Sequence, residues 1–294
     1  MGNAARPDLI FWKYHGLGND FILVERAASE AAHLRELGIV EKLCDRRRGV
    51  GADGVLLFDR DVESADARMV LLNKDGSRPE MCGNGVRCIV RHLVEEHDVS
   101  EPVVDIATDA GVRSCRWNRD GETADGRTGD NRWQVSVMMG PADVNAEPVE
   151  VDDGEFGDFT FWRVNMGNPH AVAFEGASTD TVDAIGRMLN DDPRFPEGVN
   201  VEFVEASEVE TSDPRLDVVV FERGVGRTLA CGTGACGAAA AWWYNHGGIR
   251  DGRGVTVGLP GGDLEIEVVD GELRMTGPVR SVFKGQLASD ALSD

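Results

Sequence analysis

Lysine is scarce in this sequence of 294 residues. Only Lys13, Lys42, Lys74 and Lys284 are lysines, and 52 acidic residues outnumber 30 basic ones, giving a formal net charge of −22. Such an excess of negative charge repels nucleic acids and anionic membranes. We therefore expect no nucleic-acid partner and no membrane partner.

Cysteine is also too sparse, and wrongly spaced, for two common roles. Six cysteines in a chain of this length do not make a disulfide framework. No Cys-x-x-Cys pair occurs, and the spacings from Cys82 to Cys88 and from Cys231 to Cys236 are not those of zinc sites. We expect free thiols, no metal and no cofactor.

Long apolar runs are absent. The best candidate, Ala235 to Trp243, is far shorter than the roughly 20 residues that span a bilayer. The opening "MGNAARPDLIFWK" lacks the basic and apolar regions of a secretory signal, so we expect a cytoplasmic protein. The length predicts one large or two ordinary domains. The oligomeric state is left open, with a homodimer as one option.

An internal repeat is present instead. The motifs "RPEMCGNGVRCIV" and "RTLACGTGACGAAAA" place Cys82 and Cys231 at a spacing of 231 − 82 = 149 residues. The same offset, without a gap, pairs three further features: "GNDFILV" from Gly18 with "GNPHAVA" from Gly167, "RGVGAD" from Arg48 with "EGVNVE" from Glu197, and Asn73 with Glu222.

The ends of the two repeats match with a shift. "MMGP" from Met138 resembles "MTGP" from Met275 at an offset of 137 residues. The polar stretch 118–131, "NRDGETADGRTGDN", accounts for the difference and is typical of a surface loop.

The repeat predicts two homologous α/β domains related by a pseudo-twofold axis. We place the first half at residues 1–141 and the second at 142–274, and expect a closing strand within 275–294 to return to the first half. Apolar runs such as "DFILVER", "DGVLLFD", "HAVAF" and "LDVVVFE" have strand length. A helix is expected after each cysteine, because apolar residues follow at helical spacing in one case and an alanine-rich segment follows in the other. Each half is therefore predicted to be a sheet wrapped on one central helix.

A cysteine at the start of a helix has a specific chemistry. The helix N-terminus carries unpaired N–H groups and about half a positive charge, which favours anions. We expect it to lower the thiol pKa from about 8.5 toward neutrality and to bind a carboxylate. Two such ends facing one substrate would supply a base, an acid on the opposite face and an oxyanion site. That is what inverting a stereocentre without a cofactor requires.

The same residues also have purely structural interpretations. A cysteine in a glycine-rich turn is usually a small buried side chain, and asparagine is common beside turns for backbone reasons. "GVGADG" satisfies the dinucleotide-binding pattern, but it leads into a strand rather than a helix, so we reject that function. The cysteines without a partner in the repeat are assigned to packing: Cys44, Cys88, Cys115 and Cys236.

The chain resembles the diaminopimelate epimerase family over nearly its whole length. The resemblance lies in "KYHGLGNDFILVE", "RRRGVGADGVLL", "NKDGSRPEMCGNGVRC", "NMGNPHAV", "GVNVEFVE", "FERGVGRTLACGTGACGAA" and "MTGPVRSVFKG". It implies two α/β domains with the active site in the interdomain cleft. It also implies epimerisation of LL-2,6-diaminopimelate to meso-diaminopimelate, in lysine biosynthesis, without a cofactor.

The resemblance also implies roles for particular residues. Cys82 would donate the proton and Cys231 accept it in the LL-to-meso direction. His170 and Glu222 lie where the family has groups that tune the thiols. The residues implied to hold the substrate are Asn19, Asn73, Gly83, Asn84, Asn168, Asn200, Glu222, Arg223, Gly232 and Thr233.

Two positions depart from the family pattern. The family often has Gln where this chain has Gly54, so that substrate contact is either absent or made by backbone. The family commonly has Glu where this chain has Arg227, which leaves the electrostatics near Cys231 open.

Three rival functions remain. A racemase for proline or hydroxyproline would not need Glu222, Arg223 and the set of amides. An isomerase of the phenazine-biosynthesis type would lack the cysteine pair. A non-catalytic amino-acid-binding protein would tolerate loss of either thiol. A disulfide between the two sulfurs is compatible with the epimerase as a side effect.

The acidic, lysine-poor composition generates a prediction about salt. It fits a protein that stays hydrated in concentrated salt, where charges are screened within about 3 Å at 1 M, although an ordinary acidic enzyme is an equal alternative. We predict that activity and stability increase from low to multimolar KCl, measured by turnover and thermal unfolding. Equal values at both salt concentrations would refute it.

Overall fold

The chain forms two compact units. Unit 1 comprises Met1–Val135 and Pro278–Asp294, and unit 2 comprises Ser136–Gly277. The computed structural model describes residues 9–26, 38–60, 62–119, 133–207 and 214–288.

Unit 1 contains a mixed sheet. Its strands are β1 Leu9–Gly16, β2 Asn19–Glu25, β3 Gly54–Asp59, β4 Ala67–Asn73, β5 Val103–Thr108, β6 Gly111–Asn118 and β18 Arg280–Leu287. The order across the sheet is β18, β1, β2, β3, β4, β5, β6. The pairs β2–β3 and β4–β5 are parallel, and the others are antiparallel.

Two helices of unit 1 are described, α1 (Ile39–Cys44) and α2 (Gly83–Glu96). Helix α2 begins immediately after Cys82, whose backbone is extended. The predicted apolar face, including Ile89 and Leu93, is buried. The expected helix after the first cysteine is therefore confirmed, and it is the central helix of the unit.

Unit 2 repeats this arrangement. Its strands are β8 Asp143–Val144, β9 Val149–Asp153, β10 Gly157–Asn165, β11 Pro169–Ala173, β12 Asn200–Ala206, β13 Arg215–Glu222, β14 Gly226–Thr228, β15 Gly254–Leu259 and β16 Gly262–Val269. The order β10, β11, β12, β13, β15, β16 has the same alternation of antiparallel and parallel pairs as β1 to β6. The chain enters unit 2 within β7 (Gln134–Gly140) and leaves it within β17 (Glu272–Pro278), and these two strands pair.

Two helices of unit 2 are described, α3 (Thr179–Asn190) and α4 (Gly232–Asn245). Helix α4 begins after Cys231, and both of its ends lie 149 residues beyond those of α2, since 232 − 83 = 149 and 245 − 96 = 149. It is buried nearly all round, through its alanines to Trp243, as the alanine-rich sequence predicts. The predicted fold, two homologous α/β units each built on a central helix, is confirmed.

One block of the predicted repeat alignment is wrong. In unit 1, Gly54 pairs with Phe21 and with Asn73. In unit 2, the residue that pairs with His170 is Asn200, so the offset at this strand is 200 − 54 = 146 rather than 149. Relative to unit 1, unit 2 has three fewer residues before β12 and three more after it, so the offset of 149 is restored beyond this strand. The Gly-Val dipeptides of "RGVGAD" and "EGVNVE" therefore do not occupy equivalent positions in the two units.

Two expectations include residues that are not described. The polar stretch 118–131 lies outside the described residues from 120 onward, as do residues 289–294 of the predicted closing strand. Among the described residues, none of the helices has the length and apolar character needed to cross a membrane.

Gly49, in the turn after α1, provides a test of the packing. A Cβ at this position would lie 2.7 Å from the carbonyl oxygen of Leu43 and would also meet that of Lys42. We predict that Gly49→Ala destabilises the protein by about 1–3 kcal/mol in urea unfolding. The control is Gly154→Ala, where a Cβ meets nothing within 4 Å. Equal stability of the two variants would contradict this packing.

Candidate active site

In unit 1, the predicted residues around Cys82 share hydrogen bonds. Cys82 Sγ donates to Asn19 Oδ1 over 4.0 Å, and Asn84 Nδ2 donates to the same oxygen at 3.1 Å. Cys82 and Gly83 form the start of α2, where the first N–H groups are not used by the helix itself. The structure thus brings Cys82, Asn19 and Asn84 together.

The orientation of both amides is chemically determined. Asn19 Nδ2 donates to Asp53 Oδ2 at 3.0 Å, and a carboxylate can only accept. The buried Arg87 guanidinium donates to Asn84 Oδ1 at 2.7 Å, and a guanidinium can only donate. Asn19 therefore presents its carbonyl oxygen to the Cys82 thiol.

Asn73 and Gly54 lie at the end of neighbouring strands. Asn73 Nδ2 donates to Ser77 Oγ at 2.9 Å. A Cβ at Gly54 would lie 2.8 Å from the backbone oxygen of Leu72 and 2.9 Å from Leu71 Cδ1. This backbone therefore has no room for a side chain at Gly54.

In unit 2, Cys231 is buried, and its sulfur receives a backbone hydrogen bond and lies beside a hydroxyl group. The backbone N–H of Gly234 donates to Sγ at 3.4 Å, and Thr233 Oγ1 lies 3.5 Å from Sγ. Gly232, which lies between Cys231 and Thr233 in the sequence, is the first residue of helix α4. The second predicted cluster is thus assembled on the first turn of α4.

A chain of side chains leads from Thr233 into the core. Asn168 Nδ2 donates to Thr233 Oγ1 at 3.4 Å, and Asn168 Oδ1 lies 3.0 Å from His170 Nε2. His170 Nδ1 lies 2.7 Å from Glu202 Oε1, and both of these side chains are completely buried. The histidine is thus linked to Cys231 through Asn168 and Thr233.

The remaining predicted residues lie at the ends of β12 and β13. Asn200 Nδ2 donates to the Pro169 oxygen at 3.3 Å, and Asn200 Oδ1 accepts from the Arg223 backbone N–H at 3.0 Å. Glu222 Oε1 accepts from Thr228 Oγ1 at 2.6 Å. The Arg223 side chain is exposed and donates to the Glu197 oxygen at 2.7 Å.

The expectation of a lowered thiol pKa is wrong for Cys231. Burial raises the pKa of this thiol well above its ordinary value, and the carboxylates of Glu222 and Glu202 raise it further. The hydrogen bonds from Thr233 and Gly234 lower the pKa but do not outweigh these effects. In the free protein Cys231 is therefore a thiol at neutral pH.

Arg227, the second departure from the family pattern, is an exposed residue of β14. Its Nε donates to Asp183 Oδ1 at 2.7 Å, so its charge is paired on α3. The four cysteines assigned to packing are all buried, and burial raises the pKa of Cys44 to about 12 and that of Cys88 and Cys115 as well.

The sequence reasoning missed Glu202, Asp53 and Arg87. Glu202 is a single carboxylate inside an apolar strand, "NVEFV", which is a usable signal of a paired buried charge. Arg87 is a comparable signal on the buried face of α2. In the described part of the chain, no group of three or more Cys, His, Asp or Glu side chains is arranged to hold a metal ion.

Solved structures of an epimerase, a probable racemase and a phenazine biosynthesis protein share this fold. A hydroxyproline epimerase from Agrobacterium vitis matches with a TM-score of 0.71 at 18% identity, covering 98% of this chain and 93% of that one. A probable proline racemase from Agrobacterium radiobacter K84 matches with a TM-score of 0.70 at 19% identity, covering 95% and 93%. A phenazine biosynthesis protein of the PhzF family from Bacillus anthracis shares the fold as well, with a TM-score of 0.68 at 13% identity, covering 96% and 99%.

Among proteins with this fold, the sequence identifies one family. The profile of the family described as "Diaminopimelate epimerase" matches residues 11–144 and 162–282. Diaminopimelate epimerases from Desulfitobacterium hafniense and Moorella thermoacetica are 41% and 40% identical, covering 96% and 95% of this chain and 99% of each relative. The chain belongs to the diaminopimelate epimerase family and is an isomerase, which confirms the predicted resemblance.

The raised pKa of Cys231 generates a prediction about Glu222. Removing its negative charge in Glu222→Gln lowers the pKa of Cys231, because a nearby anion disfavours the thiolate. We expect alkylation of Cys231 by iodoacetamide, followed by peptide mass spectrometry, to shift to lower pH.

Alkylation of Cys82 in the same samples is the internal control. Glu205→Gln removes an exposed carboxylate from β12 and should leave the profile unchanged. An unchanged or alkaline-shifted profile in Glu222→Gln would contradict the electrostatic account.

Proposed function

We propose that this protein interconverts LL- and meso-diaminopimelate, in lysine biosynthesis, with the thiols of Cys82 and Cys231 as its acid and base. One observation carries the proposal: each cysteine directly precedes the central helix at equivalent positions of two repeated units. The identity of about 40% to diaminopimelate epimerases, over nearly the full length of the chain, supports diaminopimelate as the substrate.

The helix starts are suited to the reacting carboxylate. The N–H groups of the first turn are available to an anion, and the positive end of the helix dipole stabilises negative charge. Gly83 and Gly232 add no side chain at these positions, so the carboxylate can approach the backbone. As the α-proton leaves, charge moves onto the carboxylate oxygens, and the same donors stabilise the developing enediolate.

The proton transfers use one thiolate and one thiol. Cys231 as thiolate removes the α-proton of the LL isomer, and the electron pair of the C–H bond passes into the carboxylate. Cys82 as thiol delivers its proton to the opposite face of that carbon. The product has the meso configuration, Cys231 is left as thiol and Cys82 as thiolate. Exchange of protons with solvent resets the pair.

Substrate binding would help to ionise Cys231. Glu222 is the second cause of the raised pKa of this thiol, after burial. A substrate ammonium bound at Glu222 would cancel that negative charge and lower the pKa of Cys231 when a substrate is present. This arrangement keeps the buried thiol protonated until there is a proton to remove.

The distal end of the substrate needs its own partners. The guanidinium of Arg223 suits a carboxylate, and the amides of Asn73, Asn168 and Asn200 can both donate and accept hydrogen bonds. A substrate with one amino-acid end, such as proline, would leave such groups without a ligand. We therefore favour diaminopimelate over the proline-type substrates of enzymes with the same fold.

We also propose a cytoplasmic location. None of the six cysteines of the chain forms a disulfide, and thiols persist in reducing compartments. Two ionisable sulfurs in one active site would be lost by oxidation elsewhere.

The test is stereochemical. Reduced protein is incubated with LL-diaminopimelate or with L-proline, and the isomers are separated by chiral chromatography. We expect conversion of diaminopimelate to the meso isomer and none of proline. Cys82→Ala and Cys231→Ala should each lose activity by about 10²–10⁴-fold, because each removes a general acid or base.

The control variants are Cys88→Ala and Cys236→Ala, which remove buried thiols from the same two helices. They should retain the wild-type rate. Conversion of proline instead would mean a different substrate, and unchanged activity in the Cys82 and Cys231 variants would contradict the two-thiol mechanism.

A further inference from the structure

A buried polar pair in unit 2 replaces an apolar pair in unit 1. The repeat offset of 149 makes His170 equivalent to Phe21, and the strand offset of 146 makes Glu202 equivalent to Leu56. Phe21 and Leu56 are 2% and 0% exposed, and the side chains of His170 and Glu202 are 0% exposed.

The helices confirm this equivalence. A Cβ at Gly85 in α2 would lie 3.0 Å from Leu56 Cδ2. At Gly234, the equivalent residue of α4 since 234 − 85 = 149, a Cβ would lie 2.6 Å from Glu202 Oε1. Leu56 and Glu202 therefore pack against equivalent positions, in the first turn of the helix that follows each cysteine.

Packing does not explain the polar pair. Replacing a buried ion pair by apolar side chains of similar size is often neutral or stabilising, and the chain's own unit 1 shows that an apolar pair fits this place. One oxygen, Glu202 Oε2, is buried and without a hydrogen-bond partner among the described residues. A costly group that the fold does not need points to a role in the reaction.

The pair determines which atoms of Asn168 face the sulfur. His170 Nδ1 lies 2.7 Å from Glu202 Oε1, and His170 Nε2 lies 3.0 Å from Asn168 Oδ1. Because an amide oxygen can only accept, Nε2 donates to it. Asn168 Nδ2 is then directed at Thr233 Oγ1, which leaves the Thr233 hydroxyl hydrogen for the sulfur of Cys231.

Unit 1 has the opposite arrangement. Asp53 accepts from Asn19 Nδ2 directly, so the carbonyl oxygen of Asn19 accepts from the Cys82 thiol. Asn19 and Asn168 are equivalent in the repeat, since 168 − 19 = 149. The equivalent amides thus present an acceptor toward one sulfur and a chain of donors toward the other.

We propose that Glu202 is a positioning residue which acts through His170, Asn168 and Thr233 to make Cys231 the sulfur that receives hydrogen bonds, while Cys82 is the sulfur that donates one. Resting on the function proposed above, this gives two chemically identical thiols different starting roles, Cys82 as acid and Cys231 as base. The carboxylates of Glu222 and Glu202 hold Cys231 protonated until substrate binds, and the donors then stabilise its thiolate.

A first test replaces the pair by its unit 1 counterpart. In His170→Phe with Glu202→Leu, we expect a melting temperature equal to or above that of the wild type and an epimerase rate lower by about 10–100-fold, the size of effect known for removing the hydrogen-bond partners that orient metal-ligating side chains. Wild-type activity in this stable variant would overturn the proposal.

A second test uses the conservative variant and does not depend on the folding of the swap. Glu202→Gln should lower kcat/KM by about tenfold, and this loss should vanish in the background Asn168→Ala but persist in Asn19→Ala. Glu205→Gln on the same strand is the matched control and should change nothing. If Glu202→Gln lowers kcat/KM by the same factor in the Asn168→Ala and Asn19→Ala backgrounds as in the wild type, the proposal is overturned.

A third readout is independent of activity. In protein with ¹⁵N-labelled histidine, the ring N–H signal that is absent from the double variant His170→Phe with Glu202→Leu identifies His170 in the wild type. A His170 ring without hydrogen on Nε2 would overturn the proposal. A wild-type protein with hydrogen on Nε2 of His170 that does not epimerise diaminopimelate would overturn the proposed function and leave the hydrogen-bond chain intact.

Discussion

Each half of this protein depends on a cysteine that immediately precedes a buried helix. The position gives the sulfur and a neighbouring anion access to the N–H groups of the first helical turn, which the helix does not use. It also forces glycine into that turn, because Leu56 and Glu202 pack within 3.0 Å of where Cβ atoms of Gly85 and Gly234 would lie. The Cys-Gly-x-Gly motif is therefore a requirement of chemistry and of packing together.

The two sulfurs differ because the surroundings of the repeated helices differ. Cys82 is half-buried and donates to an amide oxygen, while Cys231 is buried among two carboxylates and accepts from Gly234. Burial and negative charge favour a thiol at Cys231, and the donors favour a thiolate. Because both effects act on the sulfur of Cys231, a substrate ammonium bound beside it would shift the equilibrium from thiol toward thiolate.

Much of this could be predicted from the sequence, since local patterns determined it. The helices after Cys82 and Cys231, and the repeat itself, followed from apolar spacing and from one constant offset. The three-residue shift at Asn200 could not be predicted, because gains and losses of loop residues cancel between matching blocks. The raised pKa of Cys231 was missed for a similar reason: Glu202 and Glu222 come from strands distant in sequence, and only the fold brings them to the helix.

The proposed epimerisation needs one thiol as acid and a different thiol as base, and deuterium can distinguish this from a single base. LL-diaminopimelate is incubated in D₂O to a small extent of reaction, and recovered substrate and product are analysed by mass spectrometry. We predict one deuterium in the meso product, at the inverted carbon, and none in recovered LL substrate, because the acid that donates to the product is not the base that accepted from the substrate. Deuterium in recovered substrate at the level found in product would contradict the account.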